Sequence, residues 1–439
     1  MTRKIAACPT PPQDRNAWRG LDRLEYDITL VTPMFGGGVI PGEADPVTLI
    51  RPPTIRGQLR FWWRACRGAG FTEPPDLHQR EVGVWGDTEH PSPIIVEVSL
   101  RDKGRVEPCP RSRPGYPAYA LFPFQSAERG IGKGVHDARF MLRFTFPAEV
   151  KDDLEASIWA WMNFGGIGAR TRRGCGALWC AQVSPPDANR TDILEWLKES
   201  CAKHKATGPT IPPLWAKLGR FWIGPKSSSP FEVWNDIIRL LRDFRQGPGT
   251  GRNPGTEANR PGRSRWPEAE SIRNATRCRS RRHQSANQMP NEAFPRAEFG
   301  MPIVFHFKDG PRKDSRLSSR ELAPLDPTDT EIHPTVGENP KTRMASPLIL
   351  KPLAIDPDQA FPLILLLNAP RPSAVQLVSD AASIGTFPRT SICNAEFATY
   401  PNSPMGPPRA GMAARSNDGS AIEAFLAYAG ENGYKEVEL

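Results

Sequence analysis

Apolar and polar side chains alternate over 23–31, with Leu24, Tyr26, Ile28 and Leu30 on one side and charged or hydroxyl groups between them. A period of two is the pattern of a strand with one buried face. The same reading predicts strands over 93–100 and 138–146, the latter placing Phe140, Leu142, Phe144 and Phe146 together. We assign that aromatic series to a sheet underside packed on helices rather than to a base-stacking surface. Between the first two strands the period changes. Ile55, Leu59, Trp62 and Cys66 share one stripe of a helix running from an N-cap at Thr54 to Arg67, and Arg56, Arg60, Arg64 and Arg67 share another. The stretch 81–86 reads as loop, 149–163 as a second helix and 177–183 as a last strand. The order β-α-β-β-α-β is that of a ferredoxin-like, RRM-like unit.

A second unit is expected after the linker at Ser184, Pro185, Pro186 and Asp187. It has helical spacing over 191–204 and 230–244, a strand over 217–223, a short helix opening at Trp266, strands over 299–307 and 346–353, a fully apolar strand over 361–367 and a helix over 421–429. The fold class is therefore α+β, two tandem ferredoxin-like (RRM-like) domains with long loop insertions. The expected divisions are a flexible arm over 1–20, a first domain over 21–185 and a second over 186–439 that carries a basic insertion at 245–295. The excursion at 101–134, with Tyr116, Tyr119, Phe122 and Phe124, is too long for a plain hairpin and is read as functional or interfacial.

A length of 439 residues suits two to three domains. The net charge of +9, with basic clusters made largely of arginine, makes nucleic acid the first partner to consider. No apolar run approaches the ~18 residues of a membrane span. The N-terminus lacks the apolar core of a signal peptide, so a cytoplasmic protein without membrane partners is expected. Eight cysteines without a Cys-x-x-Cys spacing signal neither a zinc site nor a disulfide framework, and no cofactor or metal is expected.

The densest chemistry lies at 165–176, where five glycines frame three arginines. Glycine lets backbone turn or approach a ligand closely, and guanidinium forks suit phosphate. The stretch is neither a P-loop nor a dinucleotide fingerprint, because it follows a helix and precedes a strand. The alternative is a turn whose arginines are merely solvated. A second glycine-rich loop spans 32–38, at the end of the first strand. Stacked arginines on the helix ahead of Arg67 imply either an anion or carboxylates from elsewhere that neutralise them. Arg273, Arg277, Arg279, Arg281, Arg282 and His283 form the densest basic run, read as a nucleic-acid contact or a solvated insertion. Candidate RNA contacts are Arg51, Arg56, Arg60, Arg64, Arg67, Gly165, Gly166, Gly168, Arg170, Arg172, Arg173, Gly174, Arg273 and Arg277.

Several stretches together resemble the RAMP superfamily of CRISPR systems, and within it the subunit-one family of the type III-B Cmr effector complex. They are 32–38, Ile55-Arg-Gly-Gln-Leu-Arg-Phe-Trp-Trp-Arg64, the glycine loop at 165–176, and the segments at 264–268, 299–303 and 343–352. The resemblance implies two ferredoxin-like domains and a non-catalytic RNA-binding subunit near the 3′ end of the CRISPR RNA. Such a subunit sits beside other Cmr-complex subunits and helps capture target single-stranded RNA in antiviral defence. Arg56, Arg60 and Arg64 match the family's basic helix, and Arg170, Arg172 and Arg173 match its glycine-rich loop. The chain departs from the family at 246–263, at 309–341 and in its proline-rich tail. The alternative within the superfamily is a metal-independent endoribonuclease processing CRISPR RNA. It needs a general base, for which His136 and His283 are the candidates.

Overall fold

The computed structural model describes residues 20–40, 42–109, 116–125, 130–186, 189–206, 215–255, 262–281, 283, 289–310, 325–337, 339–379, 382–408 and 411–438. Residues 1–19 of the arm expected over 1–20, Arg282 and parts of the 246–263 and 309–341 segments lie outside the described residues.

The first unit contains β1 (Leu21–Leu30), α1 (Pro52–Arg67), α2 (Pro74–Trp85), β2 (Ile95–Asp102), β3 (Arg105–Pro108), α3 (Ala118–Leu121), β4 (Lys133–His136), β5 (Arg139–Pro147), α4 (Lys151–Phe164) and β6 (Leu178–Trp179). An antiparallel sheet has the order β2-β5-β1-β6, with Ile28 opposite Phe140 and Tyr26 opposite Leu142. Its inward residues, including the Phe140 series, share one core with Ile55, Leu59, Trp62 and Trp63 of α1 and Leu154 and Ile158 of α4. The aromatic face is thus the packed underside. β3 and β4 pair separately.

Three local expectations are corrected. α1 starts at Pro52 rather than at a Thr54 cap. Proline in the first turn forfeits only an N–H that has no acceptor in the helix, and its fixed φ suits the helix start. Residues 81–85 are the end of α2, which also opens on prolines, Pro74 and Pro75, and its single apolar face is short. β6 stops at Trp179 instead of running to 183, because Val183 N bonds back to the Cys180 carbonyl and closes a turn.

The second unit runs α5 (Arg190–Lys203), β7 (Lys217–Ile223), α6 (Pro230–Gln246), α7 (Glu268–Thr276), β8 (Ile303–Phe305), β9 (Thr330–Val336), β10 (Asn339–Pro340), β11 (Leu348–Ala354), β12 (Ala360–Asn368), β13 (Ala374–Ser379), β14 (Ala382–Pro388), α8 (Arg389–Ile392), α9 (Ala395–Thr399), α10 (Ala421–Glu431) and β15 (Lys435–Glu436). The sheet β11-β12-β7-β15 is again antiparallel and repeats the strand order of the first. The segments either side of β11 and β12 build another sheet, β10-β9-β13-β14, with β8 on β9.

One face of the second sheet, with Trp222, Leu350 and Ile364, packs on Trp234, Ile237 and Leu241 of α6 and Phe425 of α10. Its other face, with Phe221, Ile349, Leu363 and Leu365, joins the core of the first unit. This explains why β12 is apolar throughout, since both faces are covered. The junction of the two units is where the glycine loop lies.

Candidate nucleic-acid interface

The two glycine-rich loops, far apart in sequence, are zipped together. Ala169 N donates to Phe35 O at 2.6 Å, Gly176 N to Pro33 O at 2.9 Å, and Thr32 Oγ1 to Gly174 O at 2.6 Å. Thr32 Oγ1 also accepts from Ala177 N at 2.8 Å. Arg51, ahead of α1, donates to Gly37 O on the exposed rim of the first loop. Glycine is required at Gly168, where φ is +85° and a Cβ would meet Phe35 O at 2.5 Å. Gly174 is as constrained, with φ +79° and a Cβ position 2.5 Å from the Trp234 ring.

The loop also fastens the two units. Lys351 of β11 donates to Gly165 O at 2.9 Å and Trp234 Nε1 to Arg173 O at 2.6 Å, while within the first unit Trp161 Nε1 donates to Gly166 O at 3.1 Å. Arg172 donates to Ser346 O and lies 5.6 Å from the Phe61 ring, while Arg173 donates to Leu348 O at 2.7 Å. Arg170 takes the left-handed conformation (φ +59°) and sits over the Phe122 ring at 5.4 Å. All three arginines are partly buried, so a freely solvated turn is excluded. Burial holds each guanidinium below its ordinary range, and for Arg173 the nearby Arg170, Arg245 and Arg172 add to the effect, bringing it to about 9.

The arginine stripe of α1 is neutralised within the chain. Arg60 and Arg64 share Glu81 of α2 at 2.9 and 2.6 Å, and Arg67 reaches Asp153 at 3.2 Å and His204 O at 2.9 Å. Arg56 donates to Ile94 O at 3.1 Å. Of the two readings open for this stripe, carboxylates supplied by a neighbouring element fit the geometry. The missed helix α2 is what hid Glu81, whereas Asp153 comes from α4.

Residues 27–179 match the family model described as the RAMP superfamily. Two curated relatives are Cmr subunits of Pyrococcus furiosus. Cmr1-2 is 24% identical over 176 residues, 35% of this chain and 92% of that protein. Cmr1-1 is 26% identical over 165 residues, 36% of this chain and 48% of that protein. Over this region the chain is similar to the RAMP superfamily and to Cmr subunit 1. Among solved structures, the apo crystal structure of Cmr1 from Pyrococcus furiosus superposes with a TM-score of 0.49 at 15% identity, over 84% of this chain and 96% of that one. A chain of the type III-B Cmr-beta complex bound to cognate target RNA gives 0.43 at 10% identity, over 79% and 94%.

The matched RAMP region runs from within β1 to β6 and holds both glycine loops and all of α1. The basic run at 273–283 lies outside it and is largely folded inward. Arg273 is held by Asp326 at 2.8 Å and Glu270 at 3.1 Å; Glu270 also receives Arg279 and His283, and Asp326 accepts from Ser280 N at 3.1 Å. Arg277, with φ +56°, is exposed. A carboxylate set from α7 and residue 326 thus answers charges that read as a nucleic-acid patch in sequence. His283 is wedged between Glu270 and Arg263, at 2.6 and 3.0 Å. His136 lies 4.0 Å from Glu107 in a cleft of ≈530 Å³ that also holds Thr32, Tyr116 and Phe231. Sequence reasoning missed Arg245 of α6 and Lys351 of β11. Arg245 had a signal, for it follows Phe244 and lies four residues past Leu241, on the flank of an apolar stripe. Among the described residues no group of three metal-ligating side chains converges, and no helix is long and apolar enough to cross a membrane.

Proposed function

We propose that this protein is a RAMP-superfamily, non-catalytic RNA-binding subunit of a type III-B Cmr effector complex, built from two tandem ferredoxin-like units. On this reading it stands near the 3′ end of the CRISPR RNA beside other Cmr subunits and assists capture of single-stranded target RNA. The observation that carries the proposal is the zipping of the two glycine-rich loops into one ridge edged by Arg51, Arg170 and Arg172. The exposed Gly37 backbone beside these guanidiniums suits close approach of a phosphate backbone, with little base readout. The net charge of +9 supplies the long-range attraction. The curated relatives' names place those proteins in the Cmr system, and the repeated strand order supports the ferredoxin-like assignment. In this proposal the α1 arginines Arg56, Arg60, Arg64 and Arg67 hold α1 to its neighbours, Gly165, Gly166, Gly168 and Gly174 let the loop pack tightly beneath the ridge, and the exposed Arg277, rather than the ion-paired Arg273, serves from the second unit.

Photo-crosslinking of single-stranded RNA to the purified chain, followed by peptide mapping and a gel of the recovered RNA, tests the reading. The expected result is crosslinks within 33–51 and 165–176 and intact RNA. RNA cut by wild type but not by the His136→Ala variant would replace it with the endoribonuclease reading, whose catalytic base would then lie in the His136 cleft.

A further inference from the structure

Arg170, Arg173 and Arg245 come from the glycine loop and from the last turn of α6, and all three lie within electrostatic reach of Tyr119 in the long excursion. Arg245 stands 5.9 Å from the Tyr119 ring and 5.3 Å from the Phe299 ring, and Arg170 lies over Phe122. The Nε atoms of Arg170 and Arg245 are buried without a hydrogen-bond partner. Among the described residues no carboxylate forms an ion pair with any of the three. Glu268, the acidic group that Arg245 feels, has its oxygens taken by Arg296 N at 2.8 Å and Arg296 Nε at 2.9 Å. Elsewhere in the molecule clustered arginines are answered from within, by Glu81, Asp153, Glu270 or Asp326. Here they are not.

Withdrawing like charges from water without a counter-charge is costly, and aromatic faces return only part of that cost. An anion from outside the chain restores the balance. Three half-buried cations match a phosphate monoester, which carries close to two charges near pH 7, better than the single charge of a diester in a running strand. Guanidinium forks bind such a group bidentately, and the rings of Tyr119 and Phe122 offer the adjoining nucleotide a stacking surface.

We propose that Arg170, Arg173 and Arg245 form a pocket for the terminal phosphate monoester of an RNA strand. The proposal rests on the RNA-binding reading above and adds recognition of a phosphorylated end.

The test uses the full chain and three internally labelled oligoribonucleotides of one sequence, carrying a 5′-phosphate, a 3′-phosphate or hydroxyls at both ends. By fluorescence anisotropy, one phosphorylated oligonucleotide should bind about tenfold or more tightly than the hydroxyl form. Arg245→Gln and Arg170→Gln, which keep most of the apolar stem, should lose that advantage while retaining the wild-type circular dichroism spectrum. Whichever end carries the advantage identifies the source of the monoester. Equal binding of all three oligonucleotides by wild type overturns the pocket and leaves the RNA-binding reading standing. If none binds, the RNA reading fails, and inorganic phosphate tests the cluster alone. A melting temperature raised by phosphate over chloride at equal ionic strength in wild type, but not in Arg245→Gln, supports the monoester site, and no difference overturns it.

Discussion

Arg172 and Arg173 of the loop at 165–176 take their places from neighbours in the second unit. These are Ser346, Leu348 and Trp234, which reach the loop only because the second unit docks there. Arg170 and Arg172 stay at the rim, while Arg173 and Gly174 are drawn into the junction. At Gly174 the positive φ and the Trp234 ring both oppose a side chain. Gly174→Ala should therefore destabilise the fold by about 2–4 kcal/mol, combining left-handed strain with overpacking. Urea denaturation checks this, and a loss under ~0.5 kcal/mol would mean that the loop yields without cost.

The alternating strands and the two long amphipathic helices could be read directly, because each buries one face against a partner of the same unit. β9 and β13 could not. Their buried residues Ile332, Val375 and Leu377 are few and are interrupted by charged or polar neighbours, so the pattern dissolves into apparent loop. α2 was missed for a related reason, and with it Glu81, the carboxylate that gives the arginine stripe of α1 its meaning. Glu81 is nearly buried, whereas Arg60 and Arg64 remain about one-third exposed. Solvent screening lowers the worth of such pairs, so Glu81→Gln should cost about 1–2 kcal/mol in a urea melt. It should also leave α1 more positive and strengthen RNA binding at low salt. Unchanged stability would show that α2 holds its place through Leu77, Val84 and Trp85 alone.

The two units share a core, and Lys351 of β11 ties the second to the glycine loop of the first. Burial lowers its ammonium from 10.5 to about 7. Between those values the unfolded chain holds a proton that the folded chain has released, so stability attributable to this group rises with pH; below about 7 the cost of burying the charge is fully present. Relative to Lys351→Met, wild type should gain about 2–4 kcal/mol from pH 7 to pH 10. Urea melts of both proteins across that range measure it, and a difference independent of pH would place the Lys351 ammonium in contact with water. Charge also governs the central claim that the zipped loops hold RNA phosphates. It is tested most directly by the salt dependence of single-stranded RNA binding to wild type and to Arg51→Ala/Arg170→Gln. The account predicts a steep fall in affinity with salt for wild type and a log–log slope smaller by about 1–2 for the variant, since each lost phosphate contact removes ~0.7. Identical slopes would contradict it and move the RNA to another face of the molecule.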